Sequence, residues 1–394
     1  MLFCCGGFKK LCITMALIIG AIGIGYGESQ KNSPVRNALI SEQCPAAGDA
    51  AVVDALKPIL LKYKLPAIAG AIVTSDGVFM IGAAGVRKAG TSAAVTIDDK
   101  WHLGSCTKAM TATVIASLVE QGKLKWETTM EDVFPELAPR FNPACRKVTV
   151  RQMLSHQAGV SRDLDWTAVA KNGSVQKQRL ESVVQALSIK PAYVTGRKWN
   201  YSNLGYVIAG AVVERVTGQS WEDVIRERVF SPLKMSSAGF GGTGTPGKID
   251  QPWPHTEKAR PTPGNGPAVD NPPVIGPAGR VHCPLSDWGR FISDQLRGAS
   301  GGTALLKPES YSMLHTPPEG SDYAMGWIVT MRDWGGGTVL THSGSNKMNY
   351  ANVWFAPQRD FAVLVCINQG GDIAAKAADE ACGALIRVKQ NSAK

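Results

Sequence analysis

Apolar residues recur at helical spacing from Asp49 to Tyr63, where Val52, Val53, Leu56 and Leu60 share a face; this predicts a helix with Pro58 as a candidate kink. The pattern then turns strand-like in Ile68 to Val73 and Val78 to Ile81. The intervening Asp76-Gly77 is a dipeptide suited to a tight hairpin turn. From about Asp98 to Leu314 helical spacing dominates. It predicts helices over Thr107 to Glu120 (stopped by Gly122), Val150 to Gln157 (closed near Gly159), Asn203 to Val216 (running to Gly218), Trp221 to Phe230 and Asp287 to Leu296. A Gly/Pro-rich stretch, Gly241 to Pro277, which includes Trp253 and His255, breaks this region and reads as a loop beside a cleft that shapes specificity, the plainer alternative being a mobile surface loop with no role. Strands return in Met325 to Met331, Thr338 to Thr341, Tyr350 to Phe355 and Phe361 to Ile367, which are rich in β-branched and aromatic residues. Asp372 to Val388 closes the chain as a helix.

Strands at both ends around a helical middle predict an α+β fold. One antiparallel sheet is built from both chain ends and flanked by the terminal helices, with a mainly helical lobe, about residues 98–314, inserted. A cleft between lobes is a natural ligand site.

The first 27 residues read differently. Lys9 and Lys10 precede an apolar run from Leu11 to Tyr26, and Gly25-Tyr26-Gly27 offers small residues for cleavage. This reads as an export signal, followed by a linker over 28–48 and one domain over 49–389, so the mature chain is expected in the periplasm or outside the cell. The alternative is an uncleaved anchor, but the glycines of that run weaken it. Of nine cysteines, Cys4, Cys5 and Cys12 lie in the leader. The remaining six permit disulfides in an exported chain; Cys106 and Cys366 read as small buried hydrophobes, and Cys44, Cys145, Cys283 and Cys382 stay open.

Hydrophobic residues at 44% and charged residues at 19% allow a full core and exclude wholesale disorder. The net charge of +10 comes from scattered Lys and Arg residues. A nucleic-acid groove would concentrate them on one face, so no nucleic-acid partner is expected. Loose attraction to an anionic cell envelope fits the charge.

Three short elements carry candidate chemistry. Gly104-Ser105-Cys106-Thr107-Lys108 opens the second helix, which places Ser105 and Lys108 on one face, one turn apart. A helix N-terminus favours developing negative charge. Eleven uncharged residues follow Lys108, so its amine is expected to be desolvated, with a lowered pKa, and able to accept the Ser105 proton. The plainer roles are an N-cap and a surface charge, and Ser-x-x-Lys recurs at Ser174/Lys177 and Ser231/Lys234 without a buried helix behind it. Tyr201-Ser202-Asn203 precedes the next apolar helix; a phenol beside an amine can relay a proton, and an amide can orient the amine and a carbonyl. The plainer roles are a buried aromatic and a helix cap. His342-Ser343-Gly344-Ser345 ends a strand, where Gly344 lets a substrate approach the backbone; otherwise this is a turn with a surface His.

Taken in order, these residues resemble the serine penicillin-recognising hydrolases. The nearest group is the class C type β-lactamases with the D-Ala-D-Ala carboxypeptidases, D-aminopeptidases and carboxylesterases. Similar stretches include Val148 to His156, Pro277-Ala278-Gly279-Arg280, and Asn346 through Pro357 into Asn368, so the likeness spans Asp49 to Leu385. The resemblance implies that Ser105 becomes acylated, Lys108 takes its proton, Tyr201 is the partner acid/base and Asn203 orients Lys108 and substrate. It further implies an oxyanion hole from the backbone N–H groups of Ser105 and Ser345, with His342 and Gly344 lining the strand side. It implies no metal and no cofactor. Many β-lactamases of this family carry Lys-Thr-Gly at the third element, and no Lys-Ser/Thr-Gly occurs here. An ordinary His is mostly neutral at pH 7 (about 6.5), so capture of a substrate carboxylate is expected to be weak, with Lys347 a second-best cation. The expected partner is a small-molecule or peptide substrate: a carboxylic ester, a small amide or a D-amino-acid peptide. The alternatives are β-lactam hydrolysis, or a cell-wall peptide receptor on the same fold that does not turn over.

Overall fold

The computed structural model describes residues 44–171 and 173–392. The expected export signal and most of the expected 28–48 linker lie outside the described residues. Among those described, no helix is long and apolar enough to cross a membrane.

The described chain opens with strand β1 (Ala46–Gly48) and helix α1 (Ala50–Tyr63), which continues through Pro58 and buries Val52, Val53, Leu56, Ile59 and Leu60. The hairpin follows as β2 (Ala67–Thr74) and β3 (Gly77–Gly85), with Gly77 at φ 137° in the turn. After the short β4 (Lys100–His102), helix α2 (Thr107–Glu120) is buried along most of its length because it is apolar on all sides. Helix α3 (Val150–Leu154) is shorter than expected, since His156 takes φ 59° and turns the chain away. Helix α4 (Val175–Leu187) was not evident in the pattern. Helix α5 (Asn203–Thr217) ends at Gly218, and α6 (Trp221–Ile225) widens into a π turn over Arg226–Phe230. Next come β5 (Gly239–Phe240), β6 (Val281–Pro284), α7 (Leu285–Ala299) and α8 (Pro308–His315). Strands β7 (Ile328–Arg332), β8 (Gly337–Ser345), β9 (Tyr350–Ala356) and β10 (Phe361–Ile367) lead into α9 (Gly371–Asn391).

Seven strands form one antiparallel sheet in the order β1-β3-β2-β10-β9-β8-β7, so strands from the two ends of the chain meet at β2 and β10. Side chains alternate across it. Ala67, Ala69, Ala71 and Val73 of β2, with Ala362, Leu364 and Cys366 of β10, face the helical region; Ile68, Ile72, Phe361, Val363, Val365 and Ile367 face α1 and α9. Gly70 lets α9 approach, since a Cβ there would meet Leu385 at 2.8 Å. The fold is therefore the expected α+β arrangement. An addition is a three-stranded sheet, β4-β6-β5, which ties the segment before Ser105 to the segment after Gly279.

The Gly/Pro-rich segment is irregular and pinned. His255 is fully buried, accepting from Ala89 N–H (3.0 Å) through Nε2 and bonding Asn368 O (2.8 Å) through Nδ1, and Trp253 donates to Thr262 O (2.9 Å). All six described cysteines are free thiols, and every one except Cys44 is buried.

Candidate active site

Ser105 sits in a 3-10 turn, Gly104–Cys106, that feeds directly into α2. Its hydroxyl makes no capping bond, so it remains available. Lys108 lies one turn on, with its side chain fully buried, and its Nζ donates to Ser105 Oγ (3.1 Å), Asn203 Oδ1 (2.8 Å) and Ala278 O (2.6 Å). Tyr201 donates its phenolic O–H to Ser105 Oγ at 2.7 Å. Ser202 caps α5 by accepting from Gly205 N–H (2.9 Å), which leaves the Asn203 amide free to point inward. Asn203 in turn donates through Nδ2 to Asp163 Oδ1 (2.9 Å), fixing which end of its amide faces Lys108. Ser105, Lys108, Tyr201 and Asn203 thus converge, although the last two lie far along the chain.

Burial lowers the Lys108 pKa from 10.5 to about 7; Asp163 and Cys106 oppose this and Arg162 adds to it. Burial pushes the Tyr201 phenol the other way, above its ordinary 10.0, and the Ser105 bond only partly offsets this. Near neutral pH the amine can therefore be without its proton while the phenol keeps its own. Of the two groups touching Ser105 Oγ, Lys108 is suited to accept a proton and Tyr201 to donate one.

The strand side is set by backbone contact. A Cβ on Gly344 would fall 2.1 Å from Leu103 O and 2.5 Å from Ser105 N; one on Gly104, itself at φ 49°, would fall 2.3 Å from Ser345 N. Only glycines allow the turn and β8 to close on each other, which sets Ser105 N beside Gly344 and Ser345 N beside Gly104.

His342 departs from the surface-His alternative. It lies inside β8, which runs on to Ser345, and its ring is 4% exposed. Its Nε2 pairs with Tyr323 OH (3.0 Å) and its Nδ1 with Ser343 O (2.7 Å). Burial, reinforced by Lys108, lowers its pKa to about 3. It is neither a surface His nor a cation for a substrate carboxylate; Ser343 and Ser345 are the exposed β8 positions here. Lys347 is exposed in the following turn at φ 71°.

Sequence reasoning overlooked Asp163, the Ala278 carbonyl and His156. The buried His156 ring accepts from Ser202 N–H (3.2 Å) and packs against Tyr201 and Tyr323, each at 4.5 Å between ring centroids. Half-exposed Trp199 (44%) lies over Tyr323 at 5.9 Å.

A model of the beta-lactamase family matches residues 48–385. The chain belongs to the beta-lactamase family. Within that family of serine hydrolases it is 27% identical over 330 residues to Penicillin-binding protein 4 of Amycolatopsis lactamdurans, covering 78% of this chain and 82% of that protein. Two solved structures share the fold. A D-stereospecific amidohydrolase from a Streptomyces species superposes with a TM-score of 0.65 at 24% identity, over 84% of this chain and 98% of that one. A class C beta lactamase from Rhodobacter sphaeroides gives 0.68 at 18% identity, over 87% and 100%. The beta-lactamase family match covers all the residues brought together above.

Proposed function

We propose that this protein is an exported serine hydrolase that forms an acyl-enzyme on Ser105 and cleaves a carboxylic ester or a small amide, including D-amino-acid peptides. The observation that carries this reading is the buried Lys108 amine, lowered to about 7, at 3.1 Å from Ser105 Oγ, with the Tyr201 hydroxyl at 2.7 Å from the same oxygen. Lys108 takes the Ser105 proton as Oγ attacks the carbonyl carbon. The carbonyl oxygen gathers negative charge against the Ser105 and Ser345 N–H groups. Tyr201 passes a proton to the departing oxygen or nitrogen and regains one from Lys108, so the bond to the leaving group breaks without releasing an alkoxide or amide anion. Asn203 orients Lys108 and the incoming carbonyl. The buried, neutral His342 supports an uncharged or weakly held acid side of the substrate over a carboxylate-anchored drug.

The test is a panel of a chromogenic acetate ester, a chromogenic cephalosporin and a D-Ala-D-Ala peptide, run on the wild type and Ser105→Ala. Turnover of the ester or the peptide, reduced about 10³-fold or more in Ser105→Ala with unchanged folding, is the expected result. Cephalosporin turnover alone would make it a β-lactamase. Acylation by penicillin, seen by intact mass without turnover of any donor, would make it a receptor. Export is tested by the mass of protein recovered outside the cytoplasm, which should lack the first 27 residues.

A further inference from the structure

The Asp270 carboxylate lies in the Gly/Pro-rich segment, 0% exposed, and touches neither Ser105 nor Lys108. It does touch both segments that meet at Gly104 and Gly344. Its Oδ2 accepts from His102 Nε2 (2.8 Å) and Arg280 Nε (3.2 Å); its Oδ1 accepts from Asn346 Nδ2 (2.9 Å). His102 carries the link onward, because its Nδ1 accepts the Gly104 N–H at 3.1 Å, one residue before Ser105. That bond fixes the ring with its proton on Nε2, facing Asp270. Asn346 carries the other link. With its Nδ2 held by Asp270, its Oδ1 accepts from Met348 N–H (3.2 Å) and Asn349 N–H (3.0 Å), and Asn349 O accepts from Ser345 Oγ (2.7 Å). One carboxylate therefore bridges the turn that presents Ser105 and the strand end that presents Ser345, from a third segment outside both.

We propose that Asp270 is a positioning residue that holds the two backbone donors of the oxyanion pocket in register. The inference rests on the acyl-enzyme reading above for its catalytic meaning, and on the hydrogen bonds alone for its mechanical meaning. Asp270→Ala is a poor probe, since it strips Arg280 of its buried carboxylate and threatens folding. Asp270→Asn keeps a neutral acceptor for His102 and Arg280 but removes the counter-charge of Arg280, a loss that the melting curve reads; it also sets its NH2 against the NH2 of Asn346, so the strand arm breaks while the other contacts keep a hydrogen bond. The exchange D270N/N346D restores a donor–acceptor pair with the same total charge, and a carboxylate at 346 still accepts from Met348 and Asn349.

The experiment measures ester turnover, thermal melting and amide hydrogen exchange for the wild type, D270N and D270N/N346D. In D270N, kcat should fall about 10²-fold, the scale for a misplaced or missing oxyanion donor, while KM moves less than about threefold. Exchange should quicken in residues 343–349. In the double variant, kcat should return to within about tenfold of wild type, and exchange in 343–349 should slow again. A D270N loss confined to KM or melting temperature, or a double variant no faster than D270N though equally folded, overturns the proposal. If the wild type turns over no substrate and Ser105 takes no acyl group, the acyl-enzyme reading fails separately, and the exchange data alone decide the clamp: unchanged exchange in 343–349 refutes it.

Discussion

The charge of Asp163 should set the pH at which the enzyme switches on. Asp163 faces Lys108 across the Asn203 amide, through hydrogen bonds of 2.9 and 2.8 Å, so the two charges lie within roughly 8 Å. Its side chain is 36% exposed, so water weakens the interaction. With an effective dielectric of about 20–40, the attraction is about 1–2 kcal/mol, or roughly one pH unit. Asp163 raises the Lys108 pKa, and the base works only when neutral. The kcat/KM of the wild type on a neutral ester should therefore fall as pH drops through about 7, tenfold per unit. Asp163→Asn keeps the acceptor for Asn203 and removes the charge. It should move that limb about one unit lower, with a smaller shift in high salt. Tyr201, raised above 10.0, should add no descending limb below that pH. The assay is kcat/KM for a chromogenic acetate ester across the acidic and neutral range. A limb that stays in place in Asp163→Asn, or moves upward, refutes the assignment of Lys108 as the base. The same lowered pKa has a consequence for stability. Between about 7 and 10.5 the unfolded chain binds the Lys108 proton more than the folded one does, so this group's contribution to stability rises with pH across that window and is flat below it.

Two further predictions concern the frame around the site. Arg179 is fully buried, paired with Glu214 and Glu222 and bonded to the Val274 carbonyl at 3.2 Å, so Arg179→Ala should cost about 3–5 kcal/mol in denaturant unfolding; a change under about 1 kcal/mol would contradict the role given to this cluster. Gly344→Ala forces Leu103 O and Ser105 N away from β8, and should cut acylation by about 10²-fold, measured by stopped flow, while circular dichroism still reports an intact sheet.

The strands at both ends were legible because they are short runs rich in β-branched and aromatic residues, and α2 because Ala109 to Val119 carries no charge. Helix α4 was not, since its core-facing side includes Gln178, Arg179 and Ser182, and Arg179 becomes a core residue only through Glu214 and Glu222. Ser105 and Lys108 were legible as one helical turn, and Tyr201 with Asn203 as the head of a second helix. Asp163 and Asp270 lie in irregular segments, where no spacing marks a carboxylate as structural, and Ala278 acts through a carbonyl that every residue possesses. The plainer alternative of a surface His at position 342 fails because the strand does not end at Thr341. Extending β8 to Ser345 makes His342 obey the sheet's alternation, which turns its ring inward and leaves Ser343 and Ser345 outside.

The adjacency of β2 and β10 also constrains how the molecule is made. A nascent polypeptide that has not yet reached Phe361 leaves β2 with a bare edge in the middle of its future sheet, and Ile68 and Ile72 without their cover from α9. Ribosomal synthesis must therefore be nearly finished before native structure appears. Late stop codons should yield aggregates rather than partially working hydrolase.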